Sequence, residues 1–221
     1  MSWSSGKDSA YTLYTLQQLQ AEYCVIGLVT TLTKTFDRVS MHGVRIELLK
    51  EQAKQIGLPL HIVAIPFPCS ETSYDSLWHE FLTKRKIIDN ISHVAFGDLF
   101  LEDVRCYRET RLATVSIGAL FPLWHKNTKT LSEQIIASGF KAIVTCIDPK
   151  KLDKSFAGRE YNKDFLADLP PEVDPCGENG EFHTFVYAAP LFHRSINVSV
   201  GDIVERDGYL FADLLLNNKQ V

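Results

Sequence analysis

Ser4-Ser5-Gly6-Lys7-Asp8-Ser9 stands directly before the first apolar-periodic segment, in which Leu13, Leu16 and Leu19 predict a helix over about 9–20. A helix that begins here turns its unpaired N–H groups and the positive end of its dipole toward this loop, which favours an anion. Gly6 permits close backbone approach, Ser4 and Ser9 carry hydroxyl donors, Lys7 supplies a cation, and Asp8 can cap the helix or hold a metal ion. These parts suit a pyrophosphate. A Walker A loop needs Ser or Thr directly after its lysine, where Asp8 stands, so γ-phosphoryl transfer by that machinery is disfavoured. On the hexapeptide alone, a phosphate cradle and a serine-capped helix start stand about level.

Outward from this loop, helix-like and strand-like periods alternate for two thirds of the chain. Strands are expected at 24–30 (CVIGLVT), 60–65 (LHIVAI), 93–97 (HVAFG) and 141–147 (KAIVTCI). Between them, Ile46, Leu49, Ala53 and Ile56 mark a helix stopped by Gly57 and Pro59, and further helices cover about 71–89, 102–116 and 128–138. The alternation predicts an α/β fold with an open, mostly parallel sheet. From Asp148 the texture turns rich in Pro, Gly and Asp, which reads as a long functional loop or linker. Apolar alternation resumes at 184–187, and two alternating runs, 196–205 and 209–216, meet at Asp207-Gly208, a hairpin signal. The division expected is therefore a nucleotide-binding part over 1–148 and a substrate-binding region, a long loop plus a small antiparallel sheet, over 149–221.

Composition narrows the function classes. In 221 residues, 23 Lys and Arg face 27 Asp and Glu, a formal charge of −4 that gives no global attraction for nucleic acid or an acidic membrane. Cys24, Cys69, Cys106, Cys146 and Cys176 form no CxxC and no Cys/His pair at zinc-ligand spacing, as in a reduced, cytoplasmic chain. No 18 apolar residues run together and the start lacks the regions of a signal peptide, so neither export nor a membrane span is expected.

SSGKDS resembles the SGGxDS signature of the PP-loop ATP pyrophosphatases. FDRVSMHGVR (36–45), GDLFLEDVRCYRE (97–109) and CGENGEFHTFVYAAPLF (176–192) resemble the diphthine–ammonia ligase family within that superfamily. The resemblance implies an adenine nucleotide alpha hydrolase-like, Rossmann-like fold and cleavage of ATP between its α and β phosphates. It assigns Ser4, Ser5, Gly6, Lys7, Asp8, Ser9, His42 and Gly97 to the nucleotide, and Arg108, Glu109, Glu178, Asn179, Gly180, Glu181 and His183 to the acceptor side. Asp98, at the carboxyl end of a parallel strand, can hold Mg²⁺ with Asp8, or else caps a loop. Lys7, Asp8, Asp98, Glu178 and Glu181 form the implied catalytic set. For His42 a solvated loop histidine weighs nearly as much, for Arg111 a solvated salt-bridged face is favoured, and for Cys176 an inert thiol outweighs a nucleophile.

The reaction implied is amide formation: a carboxylate acceptor, a modified histidine of a translation factor if the family substrate applies, is adenylated with ATP and Mg²⁺, and ammonia displaces AMP. An adenylating tRNA modifier and a non-catalytic ATP or AMP sensor are the alternatives. The net negative charge and the missing CxxC oppose the first, and two departures from the signature keep the second open. Only Met1, Ser2 and Trp3 precede Ser4, so the first strand is truncated or missing, or the natural start lies upstream. Ser5 replaces a glycine and fits only where the backbone avoids conformations costly to a Cβ. The apolar C-terminal hairpin can pair with another chain.

Overall fold

The computed structural model describes residues 1–33, 38–39 and 43–217. Helix α1 (Lys7–Gln18) leads through β1 (Leu28–Thr33) and the short β2 (Arg38–Val39) to α2 (Ile46–Ile56) and β3 (Leu60–Ile65). Then follow α3 (Glu71–Asp89), β4 (His93–Ala95), α4 (Glu102–Ala113), β5 (Gly118–Leu120) and α5 (Thr128–Ala137). The last third holds β6 (Lys141–Ile147), α6 (Lys163–Asp168), β7 (Phe182–Ala188), β8 (Val198–Arg206) and β9 (Tyr209–Leu216).

The first strand is short but present. Ser2 N–H donates to the Ala95 carbonyl at 2.9 Å, Trp3 N–H donates to Val29 at 2.7 Å, and Val29 N–H donates to Met1 at 2.9 Å. Residues 1–3 therefore link the parallel β1–β3 pair to the parallel β4–β5 pair, giving the order β3, β1, residues 1–3, β4, β5. The chain runs to one side through β1 and β3 and then to the other through β4 and β5. That arrangement opens a crevice at the carboxyl ends beside the central segment.

Local chemistry explains the element ends. Gly57 takes φ +77° and closes α2 on the Ala53 carbonyl at 2.9 Å, the left-handed stop read from the sequence. Ser70 caps α3 by accepting from Ser73 N–H at 3.2 Å, and Asn127 caps α5 by accepting from Thr130 N–H at 3.0 Å. Pairing of β1 with β3 begins at Leu28 opposite Leu60, which moves the strand start from the expected residue 24.

Two expectations are corrected. KAIVTCI, read as the last strand of the parallel series, is β6 of an antiparallel sheet ordered β7-β6-β9-β8. An apolar strand buried on both faces has the same composition in either sheet, and here distant β7 claims its edge. The change of sheet type thus precedes residue 148. The segment after Asp148, read as a loop or linker, instead contains α6 and packs into the main core. Phe165 is fully buried and meets Phe156 at 5.5 Å, Tyr161 at 5.4 Å and Phe182 at 5.2 Å between ring centroids. The expected hairpin stands, with Asp207 and Gly208 both at positive φ.

Candidate active site

Residues 4–9 form the turn into α1, and the C-terminal half holds that turn from behind. The Ser5 carbonyl accepts from Val186 N–H and from Gln52 Nε2, each at 3.0 Å, while Lys7 N–H donates to Thr184 Oγ1 at 3.1 Å. Gln52, fully buried on α2, also accepts from Trp3 Nε1 at 2.9 Å and donates to the Val186 carbonyl at 2.7 Å. Ser4 Oγ donates to Ser9 Oγ at 3.1 Å, which donates to the Gly6 carbonyl at 3.0 Å. No side chain caps α1 at Gly6. Ser5 takes φ +75° with its hydroxyl buried and unpartnered. The condition set for serine is therefore not met: the backbone adopts the conformation that costs a residue with a Cβ.

Lys7 points inward and is 1% exposed. Its Nζ donates to Asp8 Oδ2 at 3.0 Å and to the Cys176 carbonyl, and lies 5.3 Å from the Tyr161 ring centroid and 5.1 Å from that of Phe182. Burial is the largest single influence and lowers the ammonium, but Asp8, with Cys176 and Asp174, together holds Lys7 above its usual range, while burial in turn raises the Asp8 carboxyl. The charge sits directly beneath the turn into α1.

Gly97 and Asp98 follow β4 and cross the same turn. A Cβ on Gly97 would stand 2.9 Å from the Asp8 carbonyl carbon and 3.0 Å from Ser9 N, so only glycine lets the two backbones meet. Asp98 Oδ1 accepts from Arg108 Nη2 at 3.1 Å, and its Oδ2 lies 2.7 Å from Arg108 Nε without hydrogen-bond geometry. Asp8 Oδ1 is buried without a hydrogen-bond partner. Among the described residues no three His, Cys, Asp or Glu gather to hold a metal. Mg²⁺ is usually held by one or two carboxylates together with phosphate oxygens, and the underused oxygens of Asp8 and Asp98 fit that pattern.

Residues 174–184 form the third part. Asp174 Oδ2 accepts from Cys176 N–H at 3.2 Å and Glu178 N–H at 3.0 Å, and at Gly177, φ +70°, a Cβ would stand 2.7 Å from the Phe182 carbonyl oxygen, so the turn closes only on glycine. This folding aims Glu178 at the loop after β4, where its Oε1 accepts from Leu99 N–H at 2.6 Å. Burial, with added repulsion from Asp8 and Asp98, pushes the Glu178 carboxyl up to about 7. Glu181 is buried. Its Oε1 accepts from Asp174 N–H at 3.2 Å and Asn179 Nδ2 at 3.1 Å, and its Oε2 has no hydrogen-bond partner. His183 is pulled down to about 4 by burial and then by Lys7, so its imidazole is neutral near pH 7. Cys176 is buried and its thiol is pushed well up by burial, as an inert thiol requires.

The structure thus gathers residues 4–9, Gly97, Asp98, Arg108, Glu178, Glu181 and His183. Glu109 stands apart on the exposed face of α4, paired with Arg105 at 2.8 Å, and Asn179 and Gly180 form the outer rim of the turn. Arg111 pairs with Asp75 of α3 at 2.5 Å. His42 lies outside the described residues. Sequence reasoning missed Asp174 and Gln52. A glutamine on the apolar face shared by Leu48, Leu49 and Ala53 was a signal for the second. A cavity of about 440 Å³ lies at the opposite, amino-end edge of the parallel strands, lined in part by Gly27, His61, Arg85 and His93.

Comparison with known proteins gives two family matches. Residues 1–115 match the diphthamide synthase N-terminal domain, and residues 127–213 match the diphthamide synthase C-terminal domain. Proteins named diphthine–ammonia ligase are similar over most of their length. That of Danio rerio is 26% identical over 232 residues, covering 95% of this chain and 89% of the relative. Those of Mus musculus and Homo sapiens are 26% and 24% identical, each over 234 residues, covering 95% of this chain and 85% of the relative. Among the described residues no helix is long and apolar enough to cross a membrane.

Proposed function

The chain belongs to the diphthamide synthase family, and on that premise we infer that it is an ATP-dependent ligase joining ammonia to a carboxylate acceptor of the diphthine class. A carboxylate is a poor electrophile because its leaving group would be oxide. An acceptor oxygen attacks the α phosphorus of ATP, the bond to the bridging oxygen breaks, and pyrophosphate leaves. Ammonia then attacks the acyl carbon, the acyl–phosphate bond breaks, and AMP leaves with the amide formed.

The residues of this chain divide the work. The α1 turn, with the hydroxyls of Ser4 and Ser9 and the Lys7 charge behind it, receives the departing pyrophosphate. Asp8 and Asp98 are the groups that would hold Mg²⁺, which when bound offsets the charge of the polyphosphate. Glu178, poised near neutral pH, takes the proton that ammonium must lose to become a nucleophile, and Glu181 and the neutral His183 line the same pocket of charge. The α1 turn with Gly97 and Asp98 serves the nucleotide, the 174–184 turn serves ammonium, and Arg108 stands on the acceptor side. A translation-factor histidine derivative is the acceptor this reading implies, and the setting is cytoplasmic.

One observation carries the reading: β7, which follows directly on the turn bearing Glu178 and Glu181, is hydrogen-bonded onto residues 4–9 through Thr184 to Lys7 and Val186 to Ser5, and the turn itself accepts from Lys7 Nζ at the Cys176 carbonyl. Incubation with Mg-ATP, ammonium and a diphthine-bearing acceptor should give AMP, pyrophosphate and an amide in equal amounts. Release of ADP and phosphate instead would refute it, and AMP formation that requires RNA rather than a carboxylate acceptor would redirect it to nucleic-acid modification.

A further inference from the structure

A cavity of about 350 Å³ opens between α3 and α4, within the range of small-molecule sites, and no step above uses it. Tyr74 and Trp78 of α3, Phe96 after β4, and Tyr107, Arg108 and Leu112 of α4 form its main walls. Phe96 directly precedes Gly97-Asp98, and Arg108 binds Asp98, so the cavity adjoins the carboxyl end of β4 and shares a side chain with the candidate site.

The charges on its walls are unequally satisfied. Arg111 is neutralised by Asp75 at 2.5 Å and Glu71 at 3.3 Å, and the Tyr107 hydroxyl donates to the other Asp75 oxygen at 2.9 Å. Arg108 has the single carboxylate of Asp98: Nη2 donates to Oδ1 at 3.1 Å and the buried Nε lies 2.7 Å from Oδ2, so a further acceptor would meet the outer Nη groups. Its guanidinium lies 4.3 Å from the Phe96 ring centroid and its side chain is 30% exposed. An arginine with donors to spare, laid on an aromatic face at the edge of an aromatic-walled cavity, selects a planar body that carries a carboxylate.

We propose that this cavity receives the reacting side chain of the acceptor, a heteroaromatic ring bearing a carboxylate, and that Arg108 reads the carboxylate by exchanging it for Asp98. The identity of the ligand as acceptor rests on the ligase reading, whereas binding itself needs no nucleotide. An adenine nucleotide also offers a planar ring and an anion, but the ligase reading seats it on the α1 turn, so it should not compete for this cavity.

Imidazole-4-propionate and its amide, titrated into the full chain without ATP and followed by calorimetry and tryptophan fluorescence, test this. The acid should bind at least about tenfold more tightly than the amide. Arg108→Lys and Trp78→Ala should each weaken it about tenfold, Glu109→Gln should leave it unchanged, and Asp98→Asn, which frees the guanidinium, should tighten it. Thermal unfolding of each variant identifies any that fail to fold, and Arg108→Lys and Asp98→Asn keep the site's volume nearly intact. Equal binding of acid and amide, no saturable binding up to about 20 mM, indifference to Asp98→Asn, or displacement by AMP would each overturn the assignment. Turnover to AMP and pyrophosphate is measured separately, so the ligase reading and the cavity can fail independently.

Discussion

The first turn of α1 and the outer face of α4 both carry paired charges, yet they are held in different ways. Lys7 is enclosed by Asp8, the Cys176 carbonyl and two aromatic rings, and its bond to Cys176 spans 169 residues of chain. Arg105 and Glu109 meet one helical turn apart with side chains 35% and 47% exposed. Removing one partner from a buried pair strands the other charge in a poorly polarisable interior, at about 3–5 kcal/mol. Water replaces the lost partner at an exposed pair, for about 0.5 kcal/mol or less. The same residue types therefore serve as framework at one end of the site and as adaptable surface at the other, and burial decides which.

Replacing Lys7 with Met tests the contrast most severely. Unfolding in urea should show a loss of about 2 kcal/mol, because the Cys176 carbonyl loses its donor and Asp8, with its side chain 27% exposed, loses its cation. Unchanged stability with weakened pyrophosphate binding alone would mean that Lys7 serves as a phosphate ligand and not as framework. Glu178 gives the next effect through pH. Its carboxyl stands at about 7 in the fold against an ordinary 4.5, so the protonated form favours the native state. That contribution is full below about 4.5 and lost as pH rises through about 7. Glu178→Gln cannot ionise, so its stability should gain on the parent as pH climbs through this window, and parallel curves would deny the Leu99 seat its role. Ser5→Gly should stabilise by about 1 kcal/mol in thermal melts, by removing the strain at φ +75° and a buried unpartnered hydroxyl. A lower melting temperature would show that the serine is held by more than this. Least of all, Glu109→Gln should move stability by no more than about 0.5 kcal/mol, and a larger loss would join the α4 face to the framework.

Elements set by local chemistry were readable from the chain. Ile46, Leu49, Ala53 and Ile56 with Gly57 specify α2 to its last residue, and Asp207-Gly208 specifies the hairpin because both residues must take positive φ. Features set by distant partners were not. The seven residues of β6, five of them apolar, read alike whether they pair with β5 or with β7. Lys7 in a phosphate motif reads as a phosphate cation, and only the position of Cys176, Tyr161 and Phe182 turns it inward. Three of the four motifs indicated which segments meet, since residues 4–9, 97–98 with 108, and 178–183 converge, while His42 of the remaining motif lies outside the described residues. Asp174 escaped because an aspartate two residues before a cysteine looks like any turn former until its carboxylate is seen to accept from Cys176 and Glu178.

The inward lysine also bears on how the molecule is made. Ser5 and Lys7 are fixed by Val186, Thr184 and Cys176, so residues 4–9 take their final shape only once partners 169 and 177 residues further along the chain have been made. A product cut short before residue 176 would carry the whole of residues 4–9 and lack the contacts that shape them.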